Sequence, residues 1–184
     1  MVKNDMTAEN LRSAFGGESQ AYQRYQVWAD KAEEEGYPKV ALLFRAIADA
    51  EQVHASNHFE AHENVEGDHL VASGGVFGVG STAENLEGAI AGEDHEIEQM
   101  YPAYKLVAED QGENDAVKSF HYALEAEKIH SKLYSEAKDA VENDEDYDIE
   151  SVHVCQVCGH TITDGAPDQC PVCGADKEEY KDFA

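Results

Sequence analysis

Apolar residues recur at three- and four-residue steps through much of the chain, the spacing that lines one face of an α-helix. The clearest run is Val40, Leu43, Phe44, Ile47 and Ala50, which predicts a helix from about Pro38, a favourable first helical residue, to about Asn64. An earlier helix is expected from Thr7 to Glu35. That stretch contains no proline, opens on Thr7 as N-cap with Glu9 in the first turn, and stops at Gly36-Tyr37-Pro38. So short a turn makes the two helices antiparallel neighbours. A third helix is expected from Thr82, again as N-cap, to about Asp110 before Gly112. It should bend near Gln99, because Pro102 removes one backbone hydrogen bond. A fourth runs from about Asn114 to Val141. Between Val65 and Ser81 the segment Gly74-Gly75-Val76-Phe77-Gly78-Val79-Gly80 is too glycine-rich for a helix and predicts a long crossover.

The run from Glu142 to Asp148 is acidic and reads as a solvated linker, and the remainder from about Ser151 is short, cysteine-bearing and helix-poor. The expected fold class is an all-α four-helix bundle with one long crossover, the ferritin-like arrangement, over residues 1–145. A small C-terminal metal-binding domain follows over residues 146–184.

The pattern is written twice. Thr7-Ala8-Glu9-Asn10-Leu11 returns as Thr82-Ala83-Glu84-Asn85-Leu86, and Gly17-Glu18 as Gly92-Glu93, displaced by 75 positions. Phe44 with Ala50-Glu51-x-x-His54 returns as Phe120 with Ala126-Glu127-x-x-His130, displaced by 76. Each half therefore holds one lone Glu and one Glu-x-x-His. Chance supplies about one Glu-x-x-His in a chain this rich in both residues, and four occur. Glu66/His69 and Glu150/His153 lie outside helices and read as accidents. Glu51/His54 and Glu127/His130 share their flanking residues, and i, i+3 spacing puts each pair on one helix face. With Glu18 and Glu93 they make the general ligand set of a dinuclear bundle site, and hard carboxylates with one imidazole per metal suit iron or manganese better than copper.

Glu93-x-x-Glu96 adds a carboxylate one turn further on, where the first half has Ala21. That asymmetry makes Glu96 a candidate ligand whose binding changes with oxidation state. Tyr22 and Tyr25 follow Glu18, and Tyr101 follows Glu93; Tyr25 and Tyr101 are the candidates to hydrogen-bond ligand carboxylates or bound peroxide. His58 and His62 continue the His54 stripe away from Glu51 and read as surface or end-of-bundle residues. His95 and His121 fall off the ligand faces, and Trp28 and Met100 read as packing.

The 184 residues suffice for one good core plus an appendage. Asp and Glu number 39 against 13 Lys and Arg, for a net charge of -26, which repels nucleic acid and anionic membranes. Two readings of this charge stand, a hydrated acidic surface and halophilic adaptation to high intracellular salt. The start Met1-Val2-Lys3-Asn4-Asp5 has no signal-peptide pattern, and all four cysteines cluster as Cys155-x-x-Cys158-Gly159 and Cys170-x-x-Cys173-Gly174. The expectation is a cytoplasmic protein with a four-thiolate site for iron or zinc, not disulfides.

Glu, Glu-x-x-His, Glu-x-x-Glu, Glu-x-x-His and then two Cys-x-x-Cys knuckles resemble the rubrerythrin family over nearly the whole chain. Gly92-Glu93 through Met100-Tyr101-Pro102, and Gly165-Ala166-Pro167 through Cys170-Pro171, are similar to that family's segments. The knuckles stand about one residue closer than the family's, a departure that touches Thr161-Ile162-Thr163-Asp164 and not the four cysteines. The resemblance implies a rubredoxin-like domain whose iron feeds electrons to a di-iron centre that reduces hydrogen peroxide to water. It implies Glu51 and Glu127 as bridges and Glu18 and Glu93 as terminal ligands. Glu96 and His54 would be the two ligands between which one iron moves, with Tyr25 and Tyr101 nearby. It also implies a rubredoxin or NAD(P)H-dependent reductase as electron donor, and a homodimer or higher homo-oligomer. Ferroxidase or iron storage is the alternative, and a non-enzymatic zinc-ribbon interaction module is a third.

Overall fold

A computed structural model describes residues 2–63 and 67–184. Met1, the expected helix end at Asn64, the crossover start at Val65, and Glu66 lie outside the described residues. Helix α1 spans Asp5–Glu35 and is capped by Asn4, not Thr7. The reason is a distant carboxylate: Glu113 accepts from the amides of Lys3 and Asn4 at 2.7 and 3.0 Å and from Asn4 Nδ2 at 2.7 Å. Thr7 instead lies buried within the helix and donates to Gln111 Oε1 at 2.6 Å. The helix stops at Gly36, which takes a φ of 90° that side chains resist.

Helix α2, Pro38–Ala61, begins on proline as expected. Its N-terminal amides find an acceptor in the acidic stretch: Asp146 takes the N–H of Lys39 at 2.9 Å and of Val40 at 3.2 Å. The stretch is therefore a helix cap as well as a linker, because a helix N-terminus favours a carboxylate. Helix α3, Thr82–His95, is capped by Ser81, one residue before Thr82, in a reciprocal box with Glu84. A π-helical turn follows at Glu96–Met100, then α4 at Tyr101–Gln111. The bend expected from Pro102 thus takes the form of a widened turn. The Tyr101 amide reaches back to the Glu96 carbonyl, and Pro102 enters the first turn of α4, where no amide is needed. Helix α5 covers Asn114–Glu142.

Among the described residues α1, α2, α3 through α4, and α5 form the four rods of a helical bundle. Its centre is aromatic: Tyr25, Phe44 and Tyr134 pack with ring centroids 5.1 to 5.8 Å apart, beside Trp28. Trp28 Nε1 donates to the Gly78 carbonyl at 2.9 Å, tying the crossover to α1. The C-terminal segment folds into an antiparallel sheet, β1 Val152–Cys155, β2 Thr161–Thr163 and β3 Tyr180–Phe183, in the order β2-β1-β3. Strand β1 lies against α2 of the same chain. No described helix is long and apolar enough to cross a membrane.

Candidate metal centre

Glu18 on α1, Glu51 and His54 on α2, Glu93 on α3, and Glu127 and His130 on α5 are all buried and converge midway along the bundle. They form two overlapping donor sets. Glu18, Glu51, His54 and Glu127 make one, and Glu51, Glu93, Glu127 and His130 the other, with the donor atoms of each set within 4.8 Å of one another. Glu51 and Glu127 belong to both, the geometry of two bridging carboxylates. The i, i+3 spacing does this work, since each Glu-x-x-His lays both donors on the inward face.

His54 Nδ1 lies 2.9 Å from Glu51 Oε2 and 2.9 Å from Glu127 Oε1; His130 Nδ1 lies 2.7 Å from Glu127 Oε2 and 3.4 Å from Glu51 Oε1. The far side of each ring is engaged as well. His54 Nε2 donates to the Cys158 carbonyl at 3.2 Å, and His130 Nε2 to Thr161 Oγ1 at 2.9 Å. Thr161 in turn donates to the Gly159 carbonyl at 3.0 Å, so its oxygen is left to accept. With a proton on each Nε2, both Nδ1 atoms face the carboxylates, where either a second ring proton or a metal cation must sit between nitrogen and oxygen.

The carboxylates say the same. Glu18 Oε2, Glu51 Oε1, Glu93 Oε2 and Glu127 Oε1 are buried without a hydrogen-bond partner among the described residues. Burial, and then the charges of neighbouring carboxylates, hold Glu18, Glu93 and Glu96 well above the usual carboxylate range. Burial opposes the charge of Glu127 too, but His54 and His130 outweigh it and lower its pKa. Burial pulls His130 down, and Glu127 and Glu51 more than reverse it, to about 9. Unmet oxygens and mutual repulsion on this scale are strain without metal and are relieved by two divalent cations. The residues fit such a pair.

Glu18 and Glu93, which each belong to one donor set only, have a tyrosine on the other oxygen. Tyr25 donates to Glu93 Oε1 at 2.6 Å, and Tyr101 to Glu18 Oε1. Tyr22 is half-buried and packs against the core. Glu96 belongs to neither donor set, yet it begins the π turn, and Glu18 is the leading neighbour raising its pKa. His62 pairs with Arg12 at the end of α2, as expected. His58 departs from expectation. It is fully buried, with Nε2 3.0 Å from the Tyr101 hydroxyl and Nδ1 2.7 Å from Ser119 Oγ. Its place one turn beyond His54 was the available signal, but only the tertiary fold brings Ser119 and Tyr101 to it.

The four cysteines form a donor set of their own, apart from the two in the bundle. Cys155 and Cys173 sulfurs are 3.7 Å apart and Cys158 and Cys170 sulfurs 3.5 Å, too far for disulfides. Sulfurs bound tetrahedrally at 2.3 Å would stand about 3.8 Å apart, so the set fits one metal. Gly159 and Gly174 follow the knuckles at φ of 78° and 76°. Gly159 serves a second purpose: a Cβ there would overlap the His54 ring. Asn57 Nδ2 donates to the Val157 carbonyl at 3.0 Å, and Gln156 Nε2 to Asp49 at 2.8 Å, completing the seat of the knuckle on α2.

Comparison with known proteins agrees with this geometry. A family model described as rubrerythrin matches residues 9–138, and one for the rubrerythrin rubredoxin-like domain matches residues 153–181. Rubrerythrin-2 of Clostridium acetobutylicum is 49% identical over 182 residues, covering 99% of each chain. The rubrerythrin of Porphyromonas gingivalis is 36% identical over 177 residues, 94% of this chain and 87% of that one. A structure of mixed-valence nigerythrin superimposes with a TM-score of 0.85 at 30% identity, covering all of this chain and 88% of the other. A Mycobacterium tuberculosis bacterioferritin, at 14% identity and a TM-score of 0.65, covers 78% of this chain and 90% of its own and shares the bundle fold. The chain thus belongs to the rubrerythrin family, whose helical bundle holds two irons and whose rubredoxin-like domain holds one.

Proposed function

We propose that the chain is a non-haem di-iron peroxidase, which adds two electrons and two protons to hydrogen peroxide and releases two waters. One observation carries the reading: the two donor sets touch, because His54 Nε2 donates to the carbonyl of Cys158. A knuckle cysteine and a bundle ligand are then joined by backbone, one hydrogen bond and an imidazole, a short path for single electrons. An iron store has no use for a thiolate domain seated on its metal site, so this contact favours peroxidase over ferroxidase. In this reading Glu18, Glu51, His54, Glu93, Glu127 and His130 hold two irons, and Cys155, Cys158, Cys170 and Cys173 hold a third. When bound, the iron pair supplies the two electrons that O–O cleavage consumes.

The protein's own groups do the rest. Tyr25 and Tyr101 each fix one oxygen of a terminal glutamate, which leaves the other oxygen to face the metals. Both hydroxyls hold protons at the site, since burial and nearby carboxylates raise their pKa values well above 10. Glu96, on its widened turn beside Glu18, is the ligand that engages in one oxidation state and withdraws in the other. A rubredoxin or an NAD(P)H-dependent reductase supplies the electrons in the cytoplasm, to a homodimer or larger assembly.

An anaerobic visible spectrum with metal analysis tests the proposal. It requires about three irons per chain and a red colour that fades with reductant and returns with peroxide. Manganese in the bundle, a colourless zinc-bearing knuckle, or iron uptake far beyond the two sites would each refute it.

A further inference from the structure

His58 is an unexplained expense. A fully buried imidazole between α2 and α5 gives up its hydration, and the rings of Tyr101 and Phe120 pack on it at centroid distances of 5.7 and 5.4 Å. These two aromatic walls would accept a leucine. What the ring has instead is one polar partner at each nitrogen, Ser119 Oγ and the Tyr101 hydroxyl. The roles along this line are settled from the metal end. Tyr101 spends its only proton on Glu18 Oε1, so its oxygen is an acceptor toward His58. His58 Nε2 must then carry a hydrogen. With Nε2–H donating, the remaining nitrogen, Nδ1, faces Ser119 Oγ at 2.7 Å, and that hydroxyl has no other acceptor among the described residues. Ser119 Oγ–H completes the line by donating to Nδ1.

From this geometry we propose that His58, held as its Nε2–H tautomer by Ser119, is the positioning residue that makes Tyr101 donate to Glu18. The proposal rests on the peroxidase reading and adds a residue to it. With Nε2–H pointed at the Tyr101 oxygen, the hydroxyl proton has one direction left, toward Glu18 Oε1. Glu18 consequently offers the metals Oε2 alone, and the Tyr101 proton stays on the reacting side. In the opposite tautomer every donor reverses: bare Nε2 would draw the hydroxyl proton away from Glu18, and Ser119 would become an acceptor. Tyr25, the counterpart on Glu93, has no histidine behind it among the described residues; its neighbours are the rings of Trp28, Phe44 and Tyr134. The device therefore belongs to the Glu18 side of the pair, the side on which Glu96 lies.

The test joins a tautomer measurement to a set of variants. Nitrogen-15 NMR of the full chain loaded with zinc(II), which is diamagnetic, should find His58 neutral with its proton on Nε2; a proton on Nδ1 overturns the proposal. In the iron-loaded protein, His58→Leu fills the same space without a donor and should lower kcat for peroxide by about 10- to 100-fold, with KM and iron content unchanged. His58→Gln restores a donor toward Tyr101 and an acceptor toward Ser119, and should recover most of that loss. Ser119→Ala keeps the ring packed but frees the tautomer, and should fall between wild type and His58→Leu. If His58→Leu matches wild type, or His58→Gln is as slow as His58→Leu, the ring is packing and the proposal fails. A wild-type protein inert to peroxide would overturn the parent reading instead, and the zinc-loaded spectrum, which needs no turnover, would still judge the tautomer.

Discussion

Gly159→Ala, set beside Gly174→Ala, isolates the contact between the knuckle and the bundle. Both glycines follow a cysteine knuckle, both adopt left-handed φ, and both give an amide to the carbonyl of the first cysteine, at 2.8 and 2.9 Å. Alanine in that conformation costs about 1–2 kcal/mol at either position. Around Gly174 nothing among the described residues lies within 4 Å of an added Cβ, so the backbone strain is the cost there. At Gly159 the Cβ meets the His54 ring, which cannot step aside because Glu51 and Glu127 hold its Nδ1. The knuckle must lift instead. Lifting removes the bonds from His54 to Cys158, from Asn57 to Val157 and from His130 to Thr161. At about 1 kcal/mol each, these make Gly159→Ala roughly 3 kcal/mol worse than Gly174→Ala. Urea unfolding of the iron-loaded protein, followed both by tryptophan emission and by the visible band of the thiolate site, reads the difference. In Gly159→Ala the visible transition should precede the tryptophan one, and re-oxidation of the thiolate iron by peroxide should slow. Equal behaviour of the two variants would refute the idea that the seat on His54 is an energetic and electronic contact.

Three further outcomes are expected. Glu96→Ala should slow peroxide turnover about tenfold or more while iron content, measured by elemental analysis, barely falls; matched losses would make Glu96 an ordinary ligand. Glu35 accepts from the Thr82 amide and hydroxyl at 2.8 and 2.7 Å, which lowers its pKa below 4.5. Its stabilising contribution is then complete above pH about 4.5 and lost as pH falls through the depressed folded value, so the stability gap between wild type and Glu35→Gln should close on acidification. A pH-independent gap refutes that cap. The relatives give no support to halophilic adaptation, and unfolding at low and at molar salt decides it: the charge of -26 predicts a salt-strengthened fold if the reading is right, and equal stability in both ends it.

The gathering of six bundle donors and of four cysteines was legible because each is fixed by short-range spacing. Glu51 and His54 share a face wherever α2 lies, and a repeated Glu-x-x-His states the pairing outright. Contacts made across the chain were not legible. Glu113 caps α1 from more than 100 residues away, and Asp146 caps α2 in the same manner, so Thr7 looked like an N-cap and the acidic stretch looked idle. Thr161 sat in the loop where the spacing departs from the family's, yet its hydroxyl orients His130. His58 has no matching acid on its own helix, and its partners come from α4 and α5.

The π turn also bears on how the two halves differ. They are 75 positions apart at Glu18 and Glu93, but 76 apart at Gly36 and Gly112, the left-handed caps that end α1 and α4. The second half holds one more residue than the first between those points, and the turn at Glu96–Met100 is where a helix can store it. A widened turn absorbs the rotation that one more residue would otherwise impose, so Glu93 matches Glu18 before it and the helix beyond it regains the phase of α1. Tyr101, 76 positions after Tyr25, therefore still faces the metal site, and the two tyrosines make mirrored bonds, Tyr25 to Glu93 and Tyr101 to Glu18. The two ends of the centre stay matched, and the added residue sets them apart only at the turn that Glu96 begins.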